Sequence, residues 1–222
     1  DDAEIIKVGN PALRPQFTNS YELGYKTNLK KGYFYSALYH RSTQGTITRI
    51  ATQVQPSTLI YTVFQNAGHS SNTGVEMVFQ HDFSKVVSFN TNVNIYQNII
   101  DAFTVENKYP VPSSYTATKE QFTSGNIKLN GIFHLPKQTD IQVTSIYLAP
   151  DIIPQGKIGT RFSVDMGIKK LIQKSKGELF FNSSDIFNTL KIKKELNGNG
   201  FKLTSTDYYE TQVFRLGYSY KF

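Results

Sequence analysis

The chain has 222 residues and a formal net charge of +7, with 16 Phe and 14 Tyr but neither Cys nor Trp. Without cysteine there are no disulfides and no thiolate chemistry, and the apolar runs are shorter than the roughly 18 residues that a transmembrane helix needs. Lys and Arg are dispersed along the sequence, with a small cluster at Lys191, Lys193 and Lys194. We therefore do not expect nucleic-acid binding.

Nine segments show the two-residue periodicity of a β-strand. In the fourth, Phe89 and Val93 alternate with Asn90 and Asn92. A soluble core would not need such an amide-rich face, whereas a hydrated channel would. In chain order, the predicted strands are 17–27, 33–43, 73–81, 86–98, 122–134, 141–149, 157–170, 178–194 and 208–222.

The connections between these strands alternate in length. Short polar links are predicted at 28–32, 82–85, 135–140 and 171–177, and longer ones rich in Pro, Ser, Thr or Gly at 44–72, 102–121, 149–156 and 197–207. This alternation is typical of outer-membrane barrels, in which short turns face the periplasm and long loops face outward. It predicts a periplasmic C-terminus.

The predicted fold is all-β, an antiparallel up-and-down transmembrane β-barrel with its apolar parity toward lipid and its polar parity toward an aqueous lumen. Single-chain bacterial barrels have even strand numbers, and an open edge in lipid leaves costly unpaired backbone groups. We therefore expect residues 1–222 to be the C-terminal part of a larger barrel domain. Glu22 and Glu76 are expected to pair with lumenal arginines or lysines, such as Arg161 or Arg215. The candidate lumen-facing residues are Glu22, Glu76, Asn90, Asn92, Arg161 and Arg215.

Three stretches resemble the barrel of TonB-dependent receptors, particularly the outer-membrane β-barrel family common in Bacteroidetes. The first is Gly9-Asn10-Pro11-Ala12-Leu13-Arg14-Pro15 followed by Asn19-Ser20-Tyr21-Glu22-Leu23-Gly24-Tyr25, which resembles the pattern N-P-x-L-[KR]-P … Y-E-L-G. The second is Asp185-Ile186-Phe187-Asn188-Thr189, which resembles the D-I-F-N segment near the penultimate strand. The third is the terminal Arg215-Leu216-Gly217-Tyr218-Ser219-Tyr220-Lys221-Phe222. The resemblance implies the last nine or so strands of a 22-stranded barrel. It also implies partners outside this sequence: the N-terminal part of the barrel, a plug, TonB acting through that part, and a surface lipoprotein. Nothing in the sequence resembles a plug or a TonB box.

Two groups of aromatic residues are candidate sites. Tyr218, Tyr220 and Phe222 resemble the C-terminal signal that barrel-assembly machinery recognises, and an aromatic girdle at the membrane interface would explain them equally. Tyr109 and Tyr115 are candidate ligand contacts, because they lie in a long connection and external loops carry function on a rigid scaffold. A solvated loop without a ligand is the alternative.

Patterns that indicate catalysis, metals or cofactors are absent. The four histidines, His40, His69, His81 and His134, lie in separate hairpins without metal-ligand spacing. There is no G-x-S-x-G elbow and no Gly-rich phosphate loop. The sequence therefore does not predict an enzyme. The resemblance to TonB-dependent receptors implies a transporter, part of an active importer of an unidentified substrate. A barrel acting as a structural or secretion-complex partner and a soluble all-β binding module are the alternatives.

Overall fold

The computed structural model describes residues 5–53, 58–108 and 112–222, which form sixteen β-strands. None of these residues forms a helix long and apolar enough to cross a membrane. The strands are β1 (Ile5–Val8), β2 (Phe17–Leu29), β3 (Gly32–Gln53), β4 (Ile60–Asp82), β5 (Val87–Ile100), β6 (Phe103–Asn107), β7 (Ser113–Ala117), β8 (Glu120–Leu135), β9 (Thr139–Leu148), β10 (Asp151–Ile153), β11 (Gly156–Ile158), β12 (Arg161–Ile172), β13 (Gly177–Ser184), β14 (Lys191–Gly198), β15 (Phe201–Tyr208) and β16 (Val213–Tyr220).

Nine strands form one continuous up-and-down path. In spatial order they are β2, β3, β4, β5, β8, β9, β12, β13 and β16, and each pairs antiparallel with the next. The short β1 adds to this sheet by pairing parallel with β4. Within the described residues the sheet is open, with β2 and β16 at its edges. The all-β, antiparallel up-and-down fold predicted from the periodicity is confirmed.

The register places residues of one chemical kind in rows across the sheet. On one side, which we call the apolar face, the register aligns Met77, Val93, Ile127, Tyr147 and Phe162 across five strands. On the other side, which we call the polar face, it aligns Gln80, Asn90, Asn130, Thr144 and Asp165. The apolar face is uncovered, since Leu216 is 80% exposed and Leu23 is 75% exposed. Alternation of side chains along each strand thus separates the two chemistries.

Every short link predicted from the sequence lies at the same end of the sheet. The links join β2 to β3, β4 to β5, β8 to β9 and β12 to β13. In the β8–β9 turn, Lys137 and Gln138 both have positive φ, which gives the tight reversal between Leu135 and Thr139. Because β16 returns to this end, the main-chain N–H of Lys221 reaches the carbonyl of Lys176 in the β12–β13 link at 2.8 Å.

The long connections at the opposite end are largely not loops, contrary to the prediction. Most of the segment 44–72 continues β3 and β4 into a hairpin, with residues paired as far as Gln53 and Ile60. The segment 102–121 contains the β6–β7 hairpin, 149–156 contains β10, and 197–207 lies mostly in β14 and β15. Polar composition misled the prediction here, because the strands are held by packing between segments distant in sequence.

These hairpins share a small hydrophobic core, which we call the hairpin core. Its buried members are Ile50, Ala67, Ile100, Phe103, Val105, Ala117 and Ile152. The β3–β4 pairing is interrupted at Gly45 and Gly68, whose φ angles are +66° and +37°. A Cβ on Gly68 would lie 2.8 Å from the Phe103 Cβ, so this glycine also permits the close approach of β6.

Buried polar groups tie the hairpins together. The Gln155 side chain donates to the Ala51 carbonyl at 2.8 Å and accepts from the Ala51 N–H at 2.7 Å, which continues the β3 backbone pairing through a side chain. Asn107 donates to Thr52 Oγ1 at 2.7 Å and accepts from Gln65 Nε2 at 2.6 Å. Since buried amides need partners, these contacts fix how the hairpins dock.

Three predicted strand boundaries are wrong. The segment 178–194 is broken after Ser184, the segment 157–170 is split between β11 and β12, and Tyr208 ends β15 rather than beginning the last strand. The break after Ser184 is made by the buried carboxylate of Asp185. It accepts hydrogen bonds from the N–H groups of Thr189 and Leu190 and from the Thr211 hydroxyl, at 2.7–3.0 Å.

Candidate functional site

The polar face contains a cavity of about 510 Å³ that spans five neighbouring strands from β2 to β8. Hydroxyl, amide and phenol groups dominate its lining, and Arg41 is its one ionised group among the described residues. The lining residues are Thr18, Tyr39, Arg41, Thr43, Ser70, Ser71, Asn72, Asn94, Tyr96, Asn98 and Asn126. Such a surface suits a solute that forms many hydrogen bonds and is uncharged or anionic.

Contacts between side chains hold the cavity lining in place. The Arg41 guanidinium lies 4.5 Å from the centre of the Tyr39 ring, and the Tyr39 hydroxyl donates to Asn94 Oδ1 at 2.9 Å. Asp151 in β10 accepts from the Tyr96 hydroxyl at 2.8 Å and from the Asn98 amide at 3.0 Å. These hydrogen bonds connect β10 directly to the cavity wall.

All the residues predicted to face the lumen lie on the polar face, since the register gives Glu22, Glu76, Asn90, Asn92, Arg161 and Arg215 the parity opposite to that of the apolar rows. Their expected pairing is wrong, however. Glu22 accepts from the Tyr35 hydroxyl at 2.7 Å and Glu76 from the Asn92 amide at 2.7 Å. Arg161 lies in β12 and Arg215 in β16, several strands from either carboxylate, so neighbouring-strand partners replace the arginines.

The terminal aromatic residues lie at the short-turn end of β16. Tyr218 and Tyr220 are on the apolar face, 51% and 40% exposed, and the Tyr218 hydroxyl donates to Gln173 Oε1 at 2.7 Å. The Tyr220 and Phe222 rings meet edge to face, with centroids 5.5 Å apart. This position at the end of the apolar face is the one that an interfacial girdle requires. Recognition by assembly machinery stays a prediction.

The structure describes one of the two tyrosines predicted to contact a ligand. Tyr109 lies outside the described residues. Tyr115 is half-buried in β7, where its ring packs against Phe103 with centroids 6.1 Å apart. Burial, followed by the charge of Glu120, raises the pKa of the Tyr115 phenol. Its side chain also lines a smaller cavity of about 210 Å³ between the hairpins. Ligand contact by either residue stays a prediction.

The described part of the chain contains no group of three His, Asp or Glu side chains placed to hold a metal ion. His134 pairs with Asp140 at 2.7 Å. The His81 ring stacks on Phe79 and meets the Phe83 ring edge to face. The expectations of no metal and no cofactor stay predictions.

The structure brings together one constellation that the sequence did not indicate. The Ser42 Oγ lies 2.8 Å from His69 Nε2, and His69 Nδ1 lies 2.7 Å from Asp101 Oδ2. Lys119 approaches the other Asp101 oxygen at 3.4 Å. Hydrogen bonding to His69 is the largest cause that lowers the pKa of the Asp101 carboxyl. The contributing residues are 27 and 32 positions apart, so no local motif could have found them.

A scan against protein-family models matches residues 1–220 to a family described as "Outer membrane protein beta-barrel family". No similar chain was found among curated proteins or solved structures. The family match agrees with the uncovered apolar face and the amide-rich polar face, and it is at odds with the soluble binding module that the sequence left as an alternative. The chain belongs to the outer membrane protein β-barrel family and is a protein of the bacterial outer membrane.

Proposed function

We propose that this chain forms wall and external hairpins of a TonB-dependent active importer. The observation that carries the proposal is the cavity on the polar face, which lies beside hairpins that share a hydrophobic core. The three stretches that resemble TonB-dependent receptors support the same function. The apolar face contacts outer-membrane lipid, and the polar face supplies a path for a solute rather than chemistry.

The orientation follows from the same proposal. The short links face the periplasm, the hairpins face the cell exterior, and the C-terminus is periplasmic. Because open edges at β2 and β16 would leave backbone groups unpaired in lipid, further strands of the same barrel complete the wall. The plug, the TonB contact and any surface lipoprotein belong to parts of the assembly outside this chain. A structural role in a secretion complex remains the second candidate.

The cavity lining limits the solute. Arg41 is the only ionised group among the described lining residues, and the amides of Asn72, Asn94 and Asn98 can each donate and accept. A cationic solute would meet the Arg41 charge, and none of the described lining residues carries a carboxylate that would offset it. We therefore infer an uncharged or anionic polar substrate.

Uptake by intact cells tests the proposal. Cells that produce the full-length protein are supplied with a defined mixture of oligosaccharides, acidic peptides and iron chelates too large for porins, and depletion of each solute is measured by mass spectrometry. A gene deletion, or an uncoupler that removes inner-membrane energy, should abolish depletion of at least one solute. Arg41→Ala should weaken its uptake at low concentration, whereas Thr91→Ala on the apolar face should not.

Two results contradict the importer. If the deletion strain takes up every solute as fast as the parent strain, the protein does not import these three classes of solute. Loss of proteins from the cell surface in the deletion strain, with uptake intact, would favour the secretion partner.

A further inference from the structure

We propose that Ser42, His69 and Asp101 form a nucleophilic relay that hydrolyses acyl esters of lipids at the rim of the apolar face. The relay lies on the side of the sheet opposite the cavity, so this function goes beyond import and does not depend on it. Three observations carry the proposal: the order of the hydrogen bonds, the position of the serine beyond the last apolar row of the sheet, and the structure that supports the carboxylate.

The order of contacts is the one that serine activation requires. With a proton on Nδ1, the His69 ring donates to Asp101 and presents its unprotonated Nε2 to the Ser42 hydroxyl. A carboxylate that binds Nδ1–H fixes this tautomer and stabilises the imidazolium that forms when the serine loses its proton. The His69 and Asp101 side chains are 39% and 38% exposed, so the relay is accessible from outside the sheet.

The relay lies where the apolar face ends. Leu38, Val75 and Ile95 form an apolar row across three strands, and the row that contains Ser42 lies four residues further from the short turns. Ser42 is level with Ile99, about 20 Å along the strands from Val93 at the middle of β5. With a strand tilt of about 40°, this is about 15 Å along the membrane normal. With Val93 at the bilayer midplane, this distance places the rim of the apolar face that carries Ser42 near the edge of the roughly 30 Å hydrocarbon core, where lipid acyl esters begin.

The base of the β6–β7 hairpin holds the carboxylate in place. The main-chain N–H of Asp101 donates to the His69 carbonyl at 3.0 Å, and Lys119 pairs with the second carboxylate oxygen at 3.4 Å. Asp101 and Lys119 lie on the two sides of this hairpin, and Phe103 anchors it in the hairpin core. The relay geometry is therefore determined by packed structure rather than by a free loop.

The chemistry needs only an ester and water. The Ser42 Oγ attacks the ester carbonyl carbon while its proton passes to His69 Nε2. The bond to the lipid alcohol breaks, and the alcohol leaves with that proton. Water then attacks the acyl-serine, gives one proton to Nε2 and releases the fatty acid, and Ser42 regains its proton from His69.

Two experiments on outer membranes that contain the full-length protein test the relay. A biotin-linked fluorophosphonate reacts with activated serines, and mass spectrometry locates the label. Vesicles of phosphatidylethanolamine with radiolabelled acyl chains report release of fatty acid. The matched control is Ser36→Ala, which removes a hydroxyl from the same face of β3. Heat-modifiable migration on gels confirms that each variant is folded.

We expect the natural protein and Ser36→Ala to be labelled and to release fatty acid, and Ser42→Ala to do neither. His69→Gln should reduce the labelling rate by about 10²-fold or more, the usual contribution of a general base. Absence of label in the natural protein, or label that persists in Ser42→Ala, would overturn the proposal. Equal labelling of folded His69→Gln and the natural protein would show that the contacts are structural only.

Discussion

The two faces of the sheet predict opposite responses to the same side chain at adjacent positions of β5. Val93 is the seventh of the 14 residues of this strand and lies on the apolar face, whereas Asn92 lies on the polar face. A lysine at position 93 would place an ammonium group near the bilayer midplane, which costs about 2–4 kcal/mol in barrels. A lysine at position 92 would remain beside Glu76, which accepts from Asn92 at 2.7 Å. We expect its cost to be below about 1 kcal/mol.

The cost of a lysine on the apolar face should also depend on its depth in the bilayer. Val87 begins the same strand, about 15 Å from Val93 along the normal at a tilt of about 40°. Val87→Lys should therefore cost about 0–1 kcal/mol, the value for an interfacial position. The free energy of unfolding is measured by urea titration of the full-length protein in phospholipid vesicles, followed by circular dichroism. Equal costs for Val93→Lys and Asn92→Lys, or a larger cost for Asn92→Lys, would refute the assignment of the faces.

Three further substitutions test the hairpin end of the sheet through the same unfolding free energy. Asp185→Asn should cost about 1–3 kcal/mol at neutral pH, since it leaves buried donors unpaired. Burial alone would raise the pKa of the Asp185 carboxyl, but hydrogen bonds hold that pKa below its usual value. The ionised carboxylate therefore adds to the free energy of unfolding above about pH 4. As the pH falls further, the difference in unfolding free energy between the natural protein and Asp185→Asn should shrink. Gly68→Ala should cost about 1–3 kcal/mol, because φ is +37° and the space is occupied. Gly9→Ala should be neutral, because no atom of the described residues lies within 4 Å of its added Cβ. Equal costs for the two variants would contradict the glycine argument. Gln155→Leu should cost about 2 kcal/mol and increase proteolysis of the hairpins, because both main-chain polar groups of Ala51 lose their partner. Unchanged proteolysis would show that the Gln155 hydrogen bonds do not hold the hairpins together.

The parts of the fold that could be predicted from sequence are those determined by local chemistry. Alternation of Asn90 and Asn92 with Phe89 and Val93 assigns faces without knowledge of the neighbouring strands. Turn positions such as Lys137 and Gln138 are likewise determined within a few residues. The nine-strand path therefore followed from periodicity, and the common end of the short links followed from the alternation of connection lengths.

The hairpin end could not be predicted in this way. Ile50 and Phe103 are buried because segments about fifty residues apart pack against each other, and each segment alone has the polar composition of a loop. The prediction of partners for Glu22 and Glu76 was wrong for a related reason. The sequence identified charges of opposite sign, whereas the register placed a phenol and an amide within reach first. The Ser42 relay could not be predicted for both reasons. It depends on the register between β3 and β4 and on the docking of the β6–β7 hairpin.

The alternation of side chains also explains how one strand could serve two functions without interference. Arg41 and Ser42 are consecutive in β3, yet Arg41 lines the cavity and Ser42 contacts His69 on the apolar face. Backbone pairing with β4 fixes both positions, so a change that removes only one side chain leaves the other in place. Arg41→Ala should therefore weaken uptake while fluorophosphonate labelling is retained, and Ser42→Ala should abolish labelling while uptake is retained. If either substitution removed both activities in a folded protein, the two sites would share a single function and the assignment of a separate role to each face would be wrong.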